Sequence, residues 1–198
     1  MPGDFLPSSQ RAGRKVVLQA KGLGMRVDAI RILGLDPGSQ VTGFGIVDWA
    51  AGDARYVASG VIRTRGGEVA LRLRQIFDGV LELMSEYRPA EVAVERVFMH
   101  RNADSALKLG QARGAALCAA FTGDPLVFEY APREVKLAVV WQGGAQKEQV
   151  QMMVRTLLKL QGEIGADAAD AIGIALCHAY SRRARACAGR AMARGIGP

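Results

Sequence analysis

The hydrophobic residues of this chain change their period once, near residue 64, and that change restricts the fold more than any other feature. Before it, three short apolar segments are joined by short turns, which predicts an antiparallel meander. After it, helical patterns alternate with short buried strands, as in βα units. The five predicted strands are 30–35, 41–47, 55–64, 91–95 and 126–130. We therefore predict the α/β class, with a mixed five-stranded sheet (three antiparallel strands, then parallel βα units) flanked by helices.

The helices of the second half begin and end at recognisable signals. The apolar residues between Leu73 and Tyr87 lie on one helix face, and Pro89 ends this helix. Pro132 is suited to the first turn of a later helix. Further helices are predicted at 102–121, at about 145–160 and from about Asp167 into the 180s. The sequence contains no linker long enough to separate two domains, so we expect a single domain.

The basic residues are concentrated at the two ends of the chain. The 198 residues carry a formal net charge of +7. Residues 1–24 contribute +3 and residues 181–198 contribute +5, which leaves −1 for residues 25–180. The overall charge is therefore weak evidence for a nucleic-acid protein. We expect a disordered leader at 1–24, the folded domain at 25–180 and a basic, disordered tail at 181–198.

The composition argues against a membrane protein and against a disulfide framework. No apolar run reaches the roughly 18 residues of a membrane-spanning helix. The three cysteines show no CxxC spacing, which favours reduced thiols in a cytoplasmic protein over disulfides or a zinc site. A mitochondrial transit peptide is the less favoured interpretation of the leader, because no clear amphipathic helix accompanies its charges.

Four acidic residues stand at positions where active sites are commonly built. They are Asp36 at the end of the first strand, Glu95 at the end of the fourth, and Asp167 and Asp170 at the start of the last helix. A cluster of four carboxylates stays ionised only around a cation, and such oxygen ligands select Mg²⁺ or Mn²⁺. Two such ions activate a water and stabilise the leaving oxygen in phosphodiester hydrolysis.

Each of these acids also has an ordinary structural interpretation. Asp36 precedes Pro-Gly and could be a turn residue, Asp167 could cap a helix, and Glu95 could be a surface charge. Spacing alone does not show whether the fold brings them together. The segment around Asp36 is also similar to the phosphate-binding hairpin of sugar-kinase and actin-like ATPases, but this chain is too short to supply the second domain those proteins need.

Five motif blocks carry a more specific signal. They are 32–39 (ILGLDPGS), 94–98 (VERVF), 102–114 (NADSALKLGQARG), 127–130 (VFEY) and 166–171 (ADAADA). In order and spacing these blocks resemble the RuvC family of crossover junction endodeoxyribonucleases, the bacterial Holliday-junction resolvases. The resemblance implies an RNase H-like fold and a homodimer that binds a four-way DNA junction. It also implies two symmetric nicks with ligatable ends, in homologous recombination and DNA repair.

The resemblance also implies roles for seven residues. Asp36, Glu95, Asp167 and Asp170 match the metal-binding, catalytic acids of the family. They would hold two Mg²⁺ ions in each active site, with Asp36 bridging both and Mn²⁺ as a substitute. The residues that match DNA-binding positions are Phe98, an aromatic that stacks on or wedges between bases, and Lys136 and Lys147, near the cleaved strand.

Other assignments remain open at this point. Phe98 could instead pack in the core, and the two lysines could lie on solvated helix faces. The helix at 102–121 could form the dimer interface or part of the core. His100 is expected in an exposed loop and His178 in a structural role. The family resemblance further implies contact with the RuvA–RuvB branch-migration complex.

Two other functions compete with junction resolution. A related RNase H-like nuclease with another substrate, such as an RNA–DNA hybrid, would ignore branch structure. A non-catalytic junction-binding module would bind junctions with or without metal and never nick them. The presence of all four acids counts against the binding module.

Overall fold

The computed structural model of the chain describes residues 15–16, 28–96 and 102–193, with side chains for 28–96 and 102–182. Its strands are β1 (Lys15–Val16), β2 (Ile30–Asp36), β3 (Val41–Ala50), β4 (Asp53–Arg63), β5 (Glu91–Glu95) and β6 (Leu126–Tyr130). Its helices are α1 (Val69–Tyr87), α2 (Ala103–Ala120), α3 (Pro132–Val140), α4 (Lys147–Leu157) and α5 (Ala166–Ala193). The order of elements after β1 is the predicted one.

The strands form one mixed sheet in the order β1-β4-β3-β2-β5-β6. Strands β2, β3 and β4 form an antiparallel meander, whereas β5 pairs parallel to β2 and β6 parallel to β5. This confirms the predicted five-stranded sheet. The two-residue strand β1 was not expected, because Lys15 and Val16 belong to the segment interpreted as a disordered leader. It pairs with Arg63 and Ile62 of β4 and supplies partners to an otherwise open sheet edge.

The β3–β4 hairpin is longer than its hydrophobic pattern indicates. Ala50 pairs with Asp53, and the two residues between them, Ala51 and Gly52, both have positive φ, at 52° and 84°. Two successive left-handed residues make the tight turn whose twist matches that of paired strands. The strands are therefore paired up to the turn, and β3 extends three residues past its predicted end at Val47.

Two hydrophobic clusters cover the two faces of the sheet. Alternate residues of β2 point to opposite sides, so that Ile32 joins the cluster beneath α3, α4 and α5, whereas Leu33 and Leu35 join the cluster beneath α1 and α2. Position 36 follows the same alternation as Ile32. The side chain of the last β2 residue is thereby directed to the face that α5 covers.

Helix α2 contributes its small residues to the core. Ala112 and Ala116 are fully buried in the cluster shared with α1, while Leu107 on another face is 63% exposed. The sequence left open whether this helix forms a dimer interface or part of the core. The structure answers this in part, because the alanines of α2 pack in the core of the chain.

Helix α5 continues to Ala193, well past residue 180, after which a disordered tail was predicted. The division of the chain at residues 24 and 180 stays a prediction. None of the helices in the described ranges combines the length and apolar character that a bilayer crossing requires.

Candidate active site

Three of the four predicted acids converge at one edge of the sheet. Asp36 ends β2, and Asp167 and Asp170 lie in the first turns of α5. One carboxylate oxygen from each lies within 4.8 Å of the others. We call these three residues the acid cluster. A cluster of hard oxygen ligands at this separation fits a divalent cation such as Mg²⁺.

The acid cluster forms because α5 lies directly on glycines of β2 and β3. A Cβ atom on Gly43 would lie 2.1 Å from the carbonyl oxygen of Asp167, and one on Gly34 would lie 2.1 Å from that of Ala171. Both distances are far below van der Waals contact, so only glycine permits this approach. Gly43 also pairs with Asp36 across the β2–β3 ladder. The glycines therefore set how close the helix acids come to the strand acid.

Glu95, the fourth predicted acid, reaches the acid cluster through Asp36. The parallel pairing of Leu35 with Val94 makes the ends of β2 and β5 neighbours. The carboxyl groups of Glu95 and Asp36 are electrostatically coupled. Glu95 is not in the group whose ligand atoms all lie within 4.8 Å of one another. The structure thus places Glu95 beside Asp36, at the border of the cluster.

Burial, together with the charges of neighbouring acids, raises the proton affinity of these carboxyl groups. Burial raises the pKa of Asp36 to about 6, and the charge of Asp170 adds to this effect. Burial and the charge of Asp36 raise the pKa of Glu95 to about 7. Burial also raises the pKa of Asp170, against the opposing effect of its hydrogen bond to Lys147. Without a cation the site therefore holds protons that a metal ion would displace.

Both predicted lysines face the same side of the site. The Lys147 Nζ atom, in the first residue of α4, lies 2.5 Å from Oδ2 of Asp170. Lys136 on α3 and Lys147 line an open cavity of about 190 Å³ together with Glu95 and Asp170, over an apolar floor that includes Val135. The two lysines place positive charges beside the acids, and the charge of Lys147 is paired with Asp170.

Other predicted residues have different outcomes. Phe98 and His100 lie outside the described residues, so the DNA-stacking role of Phe98 stays a prediction. His178, expected to be structural, is fully buried.

Arg113 was assigned no role from the sequence, although it lies in the 102–114 block. Its Nε donates to the backbone oxygen of Glu95 at 3.3 Å, and its Nη2 lies 2.8 Å from Glu129.

Arg113 therefore supports the end of β5 from the α2 side of the sheet. The signal that could have indicated this residue is a single arginine in a helix otherwise rich in small residues. Its partners could not have been identified in this way, because one lies 18 residues before it and the other on the following strand.

Comparisons with known proteins indicate one family. The family model described as "Crossover junction endodeoxyribonuclease RuvC" matches residues 32–178. A relative of that name from Aeromonas hydrophila is 57% identical over 152 residues, which cover 77% of this chain and 88% of the relative. One from Methylococcus capsulatus is 56% identical over 153 residues, covering 77% of this chain and 92% of the relative. The structure of Thermus thermophilus RuvC in complex with a Holliday junction substrate is 38% identical, with a TM-score of 0.72, and covers 78% of this chain and 95% of that one.

Proposed function

The chain belongs to the RuvC family of crossover junction endodeoxyribonucleases, and we propose that it resolves Holliday junctions by metal-dependent hydrolysis at Asp36, Glu95, Asp167 and Asp170. The observation that carries this proposal is the acid cluster, with its carboxylate oxygens within 4.8 Å, beside a cavity lined by two lysines. A divalent cation neutralises the acids, and the lysines accommodate the phosphate. The alternatives, a nuclease for another substrate or a non-catalytic binding module, are not favoured.

The proposed centre holds two Mg²⁺ ions, for which Mn²⁺ can substitute. When bound, such ions lower the pKa of an attacking water and stabilise the leaving oxygen. Asp36 would be the central ligand, because it lies within 4.8 Å of the helix acids and is electrostatically coupled to Glu95. Asp167 and Asp170 bind from α5. Glu95 would complete the ligand set from the end of β5.

Lys147 changes partner in this proposal. In the structure its ammonium group pairs with the Asp170 carboxylate. With a cation held by Asp170, the Lys147 charge would be available to a DNA phosphate. Lys136, which lines the same cavity, would contribute a second positive charge near the same strand.

The proposal extends to a homodimer and to the RuvA–RuvB complex as a partner. A four-way junction contains two symmetry-related strands to be cut, and a two-fold dimer presents two active sites in matching orientation. The exposed Leu107 on α2 is available for such an interface. The partnership with RuvA–RuvB rests on family membership alone.

The proposed function is tested by comparing cleavage of a synthetic four-way junction with cleavage of a linear duplex and an RNA–DNA hybrid of the same sequence. We expect paired nicks at symmetric positions, in the junction only and only with Mg²⁺ or Mn²⁺. Equal cutting of the linear duplex or the hybrid would contradict junction selectivity. Junction binding without any nick in the presence of metal would favour a binding module.

Replacement of Lys147 by Ala is expected to weaken junction binding mainly through lost phosphate contact. The slope of log affinity against log salt concentration should decrease by about one unit. The measurement is a salt titration of junction binding with Ca²⁺, which carries the charge of Mg²⁺ but does not share its strict octahedral geometry. Lys147→Arg is the matched control, because it keeps the charge and should keep the slope. An unchanged slope in Lys147→Ala would show that Lys147 does not meet phosphate.

A further inference from the structure

A buried polar network joins α5 to β5 and β6, away from the acid cluster. It consists of Glu91, Tyr130, His178 and Arg182. His178 Nδ1 lies 2.7 Å from the Tyr130 hydroxyl, and His178 Nε2 lies 2.6 Å from Glu91 Oε2. The Nε atom of Arg182 lies 2.8 and 2.9 Å from the two Glu91 oxygens. We call these four residues the α5 network; the proposed hydrolysis makes no direct use of it.

The α5 network is buried more deeply than a surface ion pair. His178 has no exposed surface and Glu91 is 5% exposed. His178 also stacks on Phe128, with ring centroids 4.3 Å apart. A buried carboxylate needs partners for its charge, and here it accepts hydrogen bonds from both α5 residues. The hydrogen bonds from His178 and Arg182 to Glu91 therefore form at only one axial position of α5.

The α5 network and the acid cluster are two ends of one contact between α5 and β5. Glu91 begins β5 and Glu95 ends it, four residues later on the same face, which spans about 13 Å. Asp170 and His178 lie in one i, i+4 row of α5, eight residues or about 12 Å apart. The two spacings match, with the helix running antiparallel to the strand. A shift of α5 by one residue would break the hydrogen bonds at one end and misplace the acids at the other.

The two ends differ in their electrostatics. At one end, Asp36 and the two α5 acids repel each other unless a cation or protons are bound. At the other end, Glu91 is held by directional, charge-assisted hydrogen bonds. Packing of α5 on Gly34 and Gly43 sets the distance of the helix from the sheet, and the directional hydrogen bonds of Glu91 add a constraint along the helix axis. The α5 network therefore opposes a displacement that the metal-free acid cluster favours.

We propose that Glu91, His178 and Arg182 are positioning residues that fix the axial register of α5 and so place Asp167 and Asp170 for metal binding. This inference rests on the proposed metal centre. The residues act through the helix and touch neither metal nor DNA. Their loss weakens metal affinity even where the protein remains folded.

The test measures Mn²⁺ binding to the metal-free protein by calorimetry, without DNA and without cleavage. His178→Leu removes both hydrogen bonds of the ring at similar volume, and Arg182→Met removes one charge at a partly exposed position that should not prevent folding. We expect each variant to bind Mn²⁺ about tenfold more weakly, the lower end of the effect typical for residues that orient metal ligands. His178→Gln, which keeps a hydrogen-bonding side chain, should recover part of the loss.

The matched control disrupts another buried ion pair of similar geometry. Arg31 and Asp48 join β2 to β3, with bonds of 2.8 and 2.9 Å, and Arg31 also donates to the Tyr87 backbone of α1, on the other side of the sheet from α5. Asp48→Asn should lower the melting temperature and leave Mn²⁺ affinity unchanged. Wild-type Mn²⁺ affinity in folded His178→Leu and Arg182→Met would overturn the inference. Absence of Mn²⁺ binding in the wild type would instead overturn the proposed metal centre, and the inference with it.

Discussion

Replacement of Asp36 by Asn is expected to abolish junction cleavage while the variant still folds and binds junctions. Asp36 is the acid that contacts both α5 and Glu95, so the loss of its charge affects every ligand of the proposed centre. We expect a rate decrease on the order of 10³-fold or more, because metal ions supply several kcal/mol of transition-state stabilisation. The measurement is single-turnover cleavage of a four-way junction, alongside junction binding at the same ionic conditions.

The control for Asp36→Asn is Asp78→Asn, which neutralises an exposed acid on α1 that pairs with Arg74. This control should cleave at the wild-type rate. If Asp36→Asn nicks junctions at an unchanged rate, the assignment of Asp36 as the central ligand is wrong. If it fails to bind junctions at all, Asp36 has a role in folding or assembly that the proposal does not include.

The same variant has an expected signature in stability. Because burial raises the pKa of Asp36 from 3.8 to about 6, the folded metal-free protein binds a proton that the unfolded chain releases between these values. The stability contribution of Asp36 is therefore present below about pH 4 and lost as the pH rises through 6. Metal-free Asp36→Asn should melt at a higher temperature than wild type above pH 6, and the difference should vanish near pH 4. Mg²⁺ should stabilise only the wild type at neutral pH.

Replacement of Gly43 by Ala has the second-largest expected effect, because it separates α5 from the sheet beneath the active site. The added methyl group would lie 2.1 Å from the backbone oxygen of Asp167, which cannot rotate away as a side chain can. Overpacking of this kind typically costs about 1–3 kcal/mol of stability. Any backbone shift that removes this clash moves Asp167 away from Asp36. We therefore also expect the cleavage rate to fall by more than the increase in unfolded protein accounts for. Denaturant unfolding and junction cleavage measure the two effects.

The control for this variant is Gly67→Ala, in an exposed segment where an added Cβ meets no atom within 4 Å. It should change neither stability nor cleavage appreciably. Wild-type cleavage in folded Gly43→Ala would show that the approach of α5 to β3 is not required for the active site.

Local patterns predicted the elements well where the signal was contained in a few neighbouring residues. Strands β5 and β6 have the predicted bounds, since each is a short apolar segment between turn signals. The β3–β4 hairpin was less predictable. Its turn places Ala51 at positive φ, a conformation that alanine seldom adopts, and the pairing of the two strands is what stabilises it. The pairing therefore extends the strands beyond their local pattern.

The residues of the candidate active site were predictable from the sequence, whereas their internal arrangement was not. Strand ends and a helix start indicated all four acids, and the motif blocks indicated the family. The sequence does not show that Asp36, Asp167 and Asp170 lie within 4.8 Å of one another while Glu95 lies beside Asp36 at the border of this group. It also does not show that Lys147 pairs with Asp170.

The sequence by itself determined the order of strands and helices, the positions of the acids and the family, because these depend on residue type and on spacing along the chain. Only the tertiary structure decided which of these residues meet. The close packing of α5 on Gly34 and Gly43 depends on contacts between distant segments. The pairing of Glu91 with Arg182 across 91 residues does as well. Such contacts are set by strand register and helix packing, which act on the folded chain as a whole.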